Sequence, residues 1–332
     1  MDKFLVIRLS SLGDIIHTLP AFSALRRNFP QAKISWAVED KGKQILDLVQ
    51  GIDEVIVLDK RNWLGPVKNI KSRDQVALDF QGLIKSGLLA YFSRSQRRIG
   101  FHWKNCKEPL ASLFYTEKPD PLPEEEMHVM AKNLRLLTCL GIKEEKFDFP
   151  IFIPDELGRS VEGKLKEISA EKNKKLLLYN LGAAWETKRW FPEKWSELIS
   201  QTRFADSFPL LLWGNEAEKK LAMAVKERAA VPLAPFLSIK EVFALIQRAS
   251  LLVSGDTFAL QAACALSVPV VGLFGPTNPR RNGPFHPRDK VVFYKIDCNP
   301  CYKKICSTLD CLHQIKVEEV ARAVRELWLS HA

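Results

Sequence analysis

The chain has 332 residues, of which 46% are hydrophobic and 27% charged, and its net charge is +10. Those proportions exclude a disordered chain, and the length suits two hydrophobic cores better than one. Residues 257–279 carry no charge, but Pro269, Gly272, Gly275 and Pro276 interrupt them, so they read as two buried elements and not as a membrane span.

Phe4–Arg8 is a short apolar strand, followed by the small-residue loop 9–14 and a helical pattern over Ile15–Asn28. Strand, loop and helix in that order open a doubly wound α/β domain. No cleavage-site pattern follows the first apolar run, so no signal peptide is expected and the chain is expected in the cytoplasm. Further strands are expected at Lys33–Val38, Glu54–Leu58, Gln75–Asp79 and Arg98–Phe101, alternating with helices such as Lys41–Gln50 and Gly82–Ser93. From Lys60 to Lys107, eleven Lys and Arg face only Asp74 and Asp79, so nearly all of the positive excess lies in one stretch. Such a stretch suits a partner with phosphates or carboxylates, or an anionic membrane surface; a solvated charged face is the plainer alternative.

Residues 117–126 form a loop rich in Pro and acid, and Met127–Leu140 is a helix ended by Gly141. The alternation pauses near Phe149–Pro154, which divides the chain into 1–154, 155–315 and a final helical segment, 316–332. Asp155–Ala170 is a charged amphipathic helix, and the strand–helix grammar then restarts with strands Lys175–Asn180 and Pro209–Trp213 and helices Glu216–Arg228 and Ile239–Arg248. Strand Leu251–Ser254 runs into the turn Gly255-Asp256-Thr257, helix Phe258–Leu266 and a second buried strand, Val270–Phe274. Asp256 or Thr257 caps that helix, whose free N–H groups form a site for phosphate oxygens; a diphosphate-bearing ligand is expected there. Strand Val291–Lys295 and helix Val317–Ser330 complete the chain. Two α/β halves of similar size are expected to bind ligand between the carboxyl ends of their sheets.

Cys298, Cys301, Cys306 and Cys311 form a C-x2-C-x4-C-x4-C run. Thiolates at that density are ligands for zinc or an iron–sulfur cluster, but the spacing matches neither signature well, so reduced thiols or a local disulfide are expected and the cluster stands as a weak metal candidate. Cys106, Cys139 and Cys264 read as apolar filler.

Four stretches in order carry a resemblance: Arg8–Asp14 with His17–Pro20, Val76–Ser86, Lys188–Trp190, and Asp256–Pro279. Together they resemble glycosyltransferase family 9, the heptosyltransferases. The resemblance implies a GT-B fold of two Rossmann-like domains, with the last helix packing back toward the first. It implies an ADP-heptose donor, a Kdo-lipid A acceptor and inversion at the anomeric carbon. No cofactor and no nucleic acid are implied, and contact with the cytoplasmic face of the inner membrane would be peripheral.

By that resemblance Asp14 is the general base and Lys188 the cation beside the departing diphosphate. A first-turn carboxylate is kept ionised by the helix dipole, so it is available though weak. His17, on the same helix face, is the alternative base or a wall residue. Ser11, Gly13, Gly182, Ala183, Ala184, Glu216, Leu237, Asp256, Thr257 and Gln261 are expected around the donor. Arg61, Lys68, Gln81, Arg94, Arg97 and Arg98 are expected to meet acceptor phosphates and carboxylates. The chain departs from the family at Ala183-Ala184, where hydroxyls are usual, and at Phe258 and Gln261; backbone N–H groups at 182–184 remain available for phosphate. Three rival readings stand beside this one: the second heptosyltransferase or a relative using another nucleotide sugar, a non-catalytic sugar-nucleotide binder, and a nucleic-acid-binding module using the basic stretch.

Overall fold

Strands covered on both faces of a parallel sheet are continuous apolar runs, and such runs build both sheets here. The computed structural model describes residues 3–59, 75–123, 125–168 and 173–330. The chain divides between Phe152 and Ile153 into two compact units. In the first unit β1 (Lys3–Ile7), β2 (Lys33–Glu39), β3 (Glu54–Leu58), β4 (Gln75–Asp79) and β5 (Arg97–Gly100) form a parallel sheet of order β3-β2-β1-β4-β5. Its α-helices among the described residues are α1 (Leu12–Asn28), α2 (Asp40–Leu46), α3 (Ile84–Phe92) and α4 (Val129–Leu136). A 3-10 turn prolongs α4 to Leu140, and Gly141 ends it at φ +78, the left-handed cap that glycine adopts freely.

The second unit opens with α5 (Asp155–Glu167), then β6 (Lys175–Asn180), α6 (Pro192–Gln201), β7 (Ser207–Leu212), α7 (Glu216–Ala229), α8 (Ile239–Gln247) and β8 (Ala249–Gly255). It continues with α9 (Phe258–Ala265), β9 (Val270–Phe274), α10 (Pro279–Asn282), β10 (Lys290–Phe293), α11 (Asp310–His313) and α12 (Val317–Ser330). The sheet is parallel, of order β10-β9-β8-β6-β7. The order in which successive strands are added reverses between β1 and β4 in one sheet and between β6 and β8 in the other. In open α/β sheets ligands bind beyond the strand carboxyl ends at these reversals.

The last helix packs within the second unit. The apolar stripe of α12, including Val320, Val324, Leu327 and Trp328, is buried in the second unit's core with Leu177 and Val253. Trp328 stacks on Phe204 at 4.9 Å and donates its Nε1–H to Asp206 at 3.1 Å. The amphipathic pattern defines a face to bury, and the second sheet is where that face goes. Helix α6 has no counterpart among the expected elements, although Pro192 at its start and buried Trp195, Leu198 and Ile199 mark it.

A polar clamp joins α5 to α8. Lys164 Nζ lies 2.7 Å from Glu241 Oε1, Ser160 Oγ donates to the same oxygen at 2.9 Å, and the Ser238 N–H donates to Oε2 at 2.9 Å. Burial works to raise the Glu241 pKa, but Lys164 and the Ser238 N–H outweigh it and bring it to about 2. Because the folded value lies below the ordinary 4.5, the stabilisation is complete above that pH and disappears as pH falls through about 2. Glu241→Gln is therefore expected to cost about 1–3 kcal/mol at neutral pH. In urea titrations the two proteins should converge as pH approaches 2.

Candidate active site

At the reversal of the first sheet, β1 delivers Arg8 and the loop into α1. Arg8 is buried, donates to the Phe80 carbonyl, and sets a guanidinium nitrogen 2.9 Å from Asp14 Oδ2. Asp14, in the first turn of α1, reaches back to the capping residue: the Ser11 N–H and Oγ donate to its Oδ2 at 3.2 and 3.0 Å. Its surroundings penalise the charged form, but the Arg8 guanidinium, the His17 ring and the Ser11 N–H together hold it well below the usual carboxylate range. The Asp14 side chain nevertheless keeps 39% of its surface exposed. It is an ionised, reachable carboxylate. Ser11 is exposed and Gly13 half-buried beside it.

His17 is 5% exposed, with Nδ1 3.9 Å from Asp14 Oδ1 and its ring edge-on to His128 at 5.9 Å. Neither ring nitrogen has a hydrogen-bond partner among the described residues. The accessible group of the pair is Asp14, which favours it over His17 as the base.

Gln81 acts on this loop from β4. Its Oε1 accepts the Leu9 N–H at 2.7 Å and the Ser10 N–H at 3.4 Å. Asp79 accepts the Gln81 N–H at 2.8 Å on one oxygen and the Tyr115 hydroxyl at 2.6 Å on the other. Tyr115, Asp79 and Gln81 thus brace the loop that presents Asp14. The side-chain oxygen of Gln81 is thus engaged by the loop.

At the reversal of the second sheet, Asn180 Nδ2 ends β6 within hydrogen-bond distance of Gly182 O (3.2 Å), Ser254 Oγ (3.0 Å) and Thr257 Oγ1 (3.1 Å). Thr257 caps α9, accepting the Leu260 N–H at 3.4 Å. Lys188 Nζ lies 2.7 Å from Asp256 Oδ2 and 4.5 Å from the centre of the Trp185 ring. The two charged side chains are 16% and 8% exposed, so the pair is held out of bulk water at the helix start. Arg189 Nε donates to Ala183 O at 2.9 Å and shapes the loop, in which Gly182 and Ala183 are buried and Ala184 is exposed. A Cβ on Gly182 would meet Glu218 Cδ at 2.4 Å, and Glu218 Oε2 accepts the Gly214 N–H at 2.8 Å. Loop 182–184, Lys188, Asp256 and Thr257 thus share one strand-end region.

Other expectations need correction. Gln261 is 3% exposed and donates to Asn282 O at 2.7 Å, holding α10 in place, so its amide nitrogen is not presented to a donor. Arg97 grips both oxygens of Glu117 at 2.7 Å, and Arg98 donates to the carbonyls of Phe114 and Ser95 at 2.8 and 2.9 Å. Both begin β5, at the sheet's amino end, while Asp14 follows a carboxyl end. Arg94, exposed at φ +59 just past α3, lies at that amino end too. These three arginines therefore do not gather with Asp14. Glu216 projects into solvent from the start of α7, its side chain 77% exposed. Leu237 is buried just before α8. Arg61 and Lys68 lie outside the described residues.

Residues of the two sites that were absent from the sequence-based set include Arg8, Asp79, Tyr115, Asn180 and Glu218. Arg8 carried a signal, a cation ending an apolar strand, which burial makes costly unless it has a partner.

The four late cysteines are unpaired, with Cys298 and Cys306 exposed and Cys311 buried. Burial pushes the Cys311 thiol up to about 11, with the other three adding to the effect. Their loop packs on the turn after β9: the Cys301 and Tyr302 N–H groups donate to Pro276 O at 3.0 Å, and Thr187 Oγ1 donates to Lys303 O at 2.7 Å. Among the described residues no group of three or more His, Cys, Asp or Glu is arranged to hold a metal ion.

Residues 67–312 match the profile of glycosyltransferase family 9 (heptosyltransferase). A lipopolysaccharide heptosyltransferase 1 of Pseudomonas aeruginosa is 29% identical over 322 residues, covering 92% of this chain and 87% of the relative. Among solved structures, the glycosyl transferase family 9 of Veillonella parvula superimposes with a TM-score of 0.83 at 21% identity, covering 99% of this chain and 97% of that one. The Escherichia coli heptosyltransferase WaaC with ADP-2-deoxy-2-fluoro heptose gives a TM-score of 0.75 at 23% identity, covering 99% and 100%. These likenesses show the GT-B fold, with its two Rossmann-like units.

Proposed function

The chain belongs to glycosyltransferase family 9 and is a glycosyltransferase, and from that premise we propose that it transfers heptose from ADP-heptose to the Kdo-lipid A inner core of lipopolysaccharide. The acceptor hydroxyl attacks the anomeric carbon opposite the ADP group. A new C–O bond forms, the bond to the β-phosphate oxygen breaks with its electron pair left on ADP, and the hydroxyl proton passes to Asp14. A depressed carboxylate is a weak base, which suffices when the sugar carbon already carries positive charge and the attacking hydroxyl acidifies late. Lys188 and the first-turn N–H groups of α9 offset the charge that grows on the departing diphosphate.

The observation that carries this reading is the convergence of Lys188, Asp256 and the Thr257 cap on one sheet reversal, 2.7 Å separating the charged pair. The N–H groups of loop 182–184 and the carboxylate of Glu218 beside them offer hydrogen bonds to the rest of the nucleotide. The acceptor is a membrane lipid, so the enzyme works at the cytoplasmic face of the inner membrane. Among the described residues no helix is long and apolar enough to cross a membrane, and contact is proposed as peripheral.

The test is ADP release when ADP-heptose and Kdo-lipid A are mixed with the protein. Release that requires both substrates supports the reading. Release only with an acceptor that already carries a heptose would make the chain a second heptosyltransferase. No release with either acceptor, despite tight ADP binding, would leave a sugar-nucleotide binder and overturn the proposal.

A further inference from the structure

The first unit carries an apolar surface that the reaction chemistry does not use. After β5 the chain forms a 3-10 turn, Trp103–Asn105, and a 3-10 helix, Pro109–Phe114, which packs along α3. Side chains three apart in a 3-10 helix eclipse one another, so Leu110 and Leu113 project together. They are 61% and 76% exposed, while Ala111 and Ser112 between them are buried. Trp103 is 51% exposed, and Tyr91, 52% exposed at the end of α3, lies 6.3 Å from the Phe114 ring. Clustered exposed apolar side chains of this size mark an interaction site.

The charge around this surface selects the partner. Arg94, Lys104, Lys107 and Lys118 are exposed there, against Asp120 and Glu108, whose Oε2 accepts the Ile84 N–H at 2.7 Å. Apolar side chains ringed by cations suit the headgroup–acyl boundary of an anionic bilayer, which takes up the leucines and attracts the lysines. The surface also connects to the Asp14 loop. The Glu108 N–H donates to Gly82 O at 3.0 Å, and a Cβ on Gly82 would come within 3.2 Å of Cys106 Cα. Gly82, at φ +69, follows Gln81, the brace of that loop.

We propose that Trp103, Leu110, Leu113 and Tyr91, with the surrounding lysines, form the surface by which this protein docks on an anionic phospholipid bilayer. The inference rests on the proposed lipid-borne acceptor and assigns the face that meets the membrane.

The experiment is co-sedimentation with vesicles of phosphatidylcholine alone or mixed with phosphatidylglycerol, paired with transfer to a deacylated, water-soluble Kdo acceptor. The parent protein should sediment with the anionic vesicles and lose that binding as salt rises. Leu110→Glu/Leu113→Glu should lower the bound fraction by about tenfold or more, and Lys104→Glu/Lys107→Glu should lower it at low salt. Both variants should keep the parent's thermal midpoint and its rate on the soluble acceptor. A leucine variant that is folded and binds anionic vesicles like the parent overturns the assignment, as does a parent that ignores them. Dimerisation of the parent, lost in the same variant, would instead assign the face to a second copy of the chain. If vesicle binding behaves as expected while no acceptor is heptosylated, the functional proposal fails and the docking surface stands.

Discussion

Asp14→Asn is expected to lower kcat by about 10²–10⁴-fold, the range typical of a lost general base. The asparagine keeps the size of the side chain and its reach to Ser11, but it cannot take the acceptor proton. ADP affinity should stay within about twofold, because Lys188, the Asp256 turn and loop 182–184, the proposed diphosphate site, belong to the second unit. Stability should also fall, since Arg8 is buried and 2.9 Å from the carboxylate it would lose. A cost of about 1–3 kcal/mol is expected, moderated by the exposure of Asp14. Circular dichroism then separates the two effects, and the reading fails if the folded variant keeps more than about a tenth of the parent kcat.

The same pairing sets the pH behaviour. Arg8, His17 and the Ser11 N–H hold Asp14 well below the usual carboxylate range despite the desolvation that opposes them. The group therefore stays charged from about pH 5 to 8, and kcat/KM should show no acid limb from it there. Its contribution to stability follows the same sign. The contribution is full above the ordinary carboxylate pKa and is lost only as pH falls through the lower folded value.

Strands and the residues that end them were legible because a buried parallel strand must be apolar and a following helix must be capped. Both requirements are local. Gly255-Asp256-Thr257 and the loop into α1 were readable for that reason. The arginines of the basic stretch were not readable, because an Arg that clamps Glu117 has the same sequence signature as one that awaits a phosphate. Only the fold shows that Arg97 and Arg98 start β5 and that their guanidiniums are spent on Glu117 and the Phe114 carbonyl. Gln81 and Gln261 escaped for a related reason: an amide serves backbone or ligand equally well, and tertiary placement decides which. The destination of α12 was likewise hidden, since amphipathicity specifies a buried face and not its neighbour.

Lys188→Ala should lower kcat/KM by about 10²–10³-fold, the effect of removing one preorganised charge from a developing anion. Stability should fall as well, because Asp256 is 8% exposed and Lys188 Nζ lies 2.7 Å away. Removing one partner of such a pair leaves a buried carboxylate uncompensated, at about 3–5 kcal/mol. Lys188→Met/Asp256→Asn removes both charges, so its thermal midpoint should recover most of the loss while its activity does not. Lys188→Arg keeps the charge but not the compact ammonium seated over Trp185, and an intermediate rate is expected. If the double variant regained activity along with stability, the single substitution would have acted through folding. Lys188 would then be a structural partner of Asp256, and the charge on the leaving diphosphate would need another source of stabilisation.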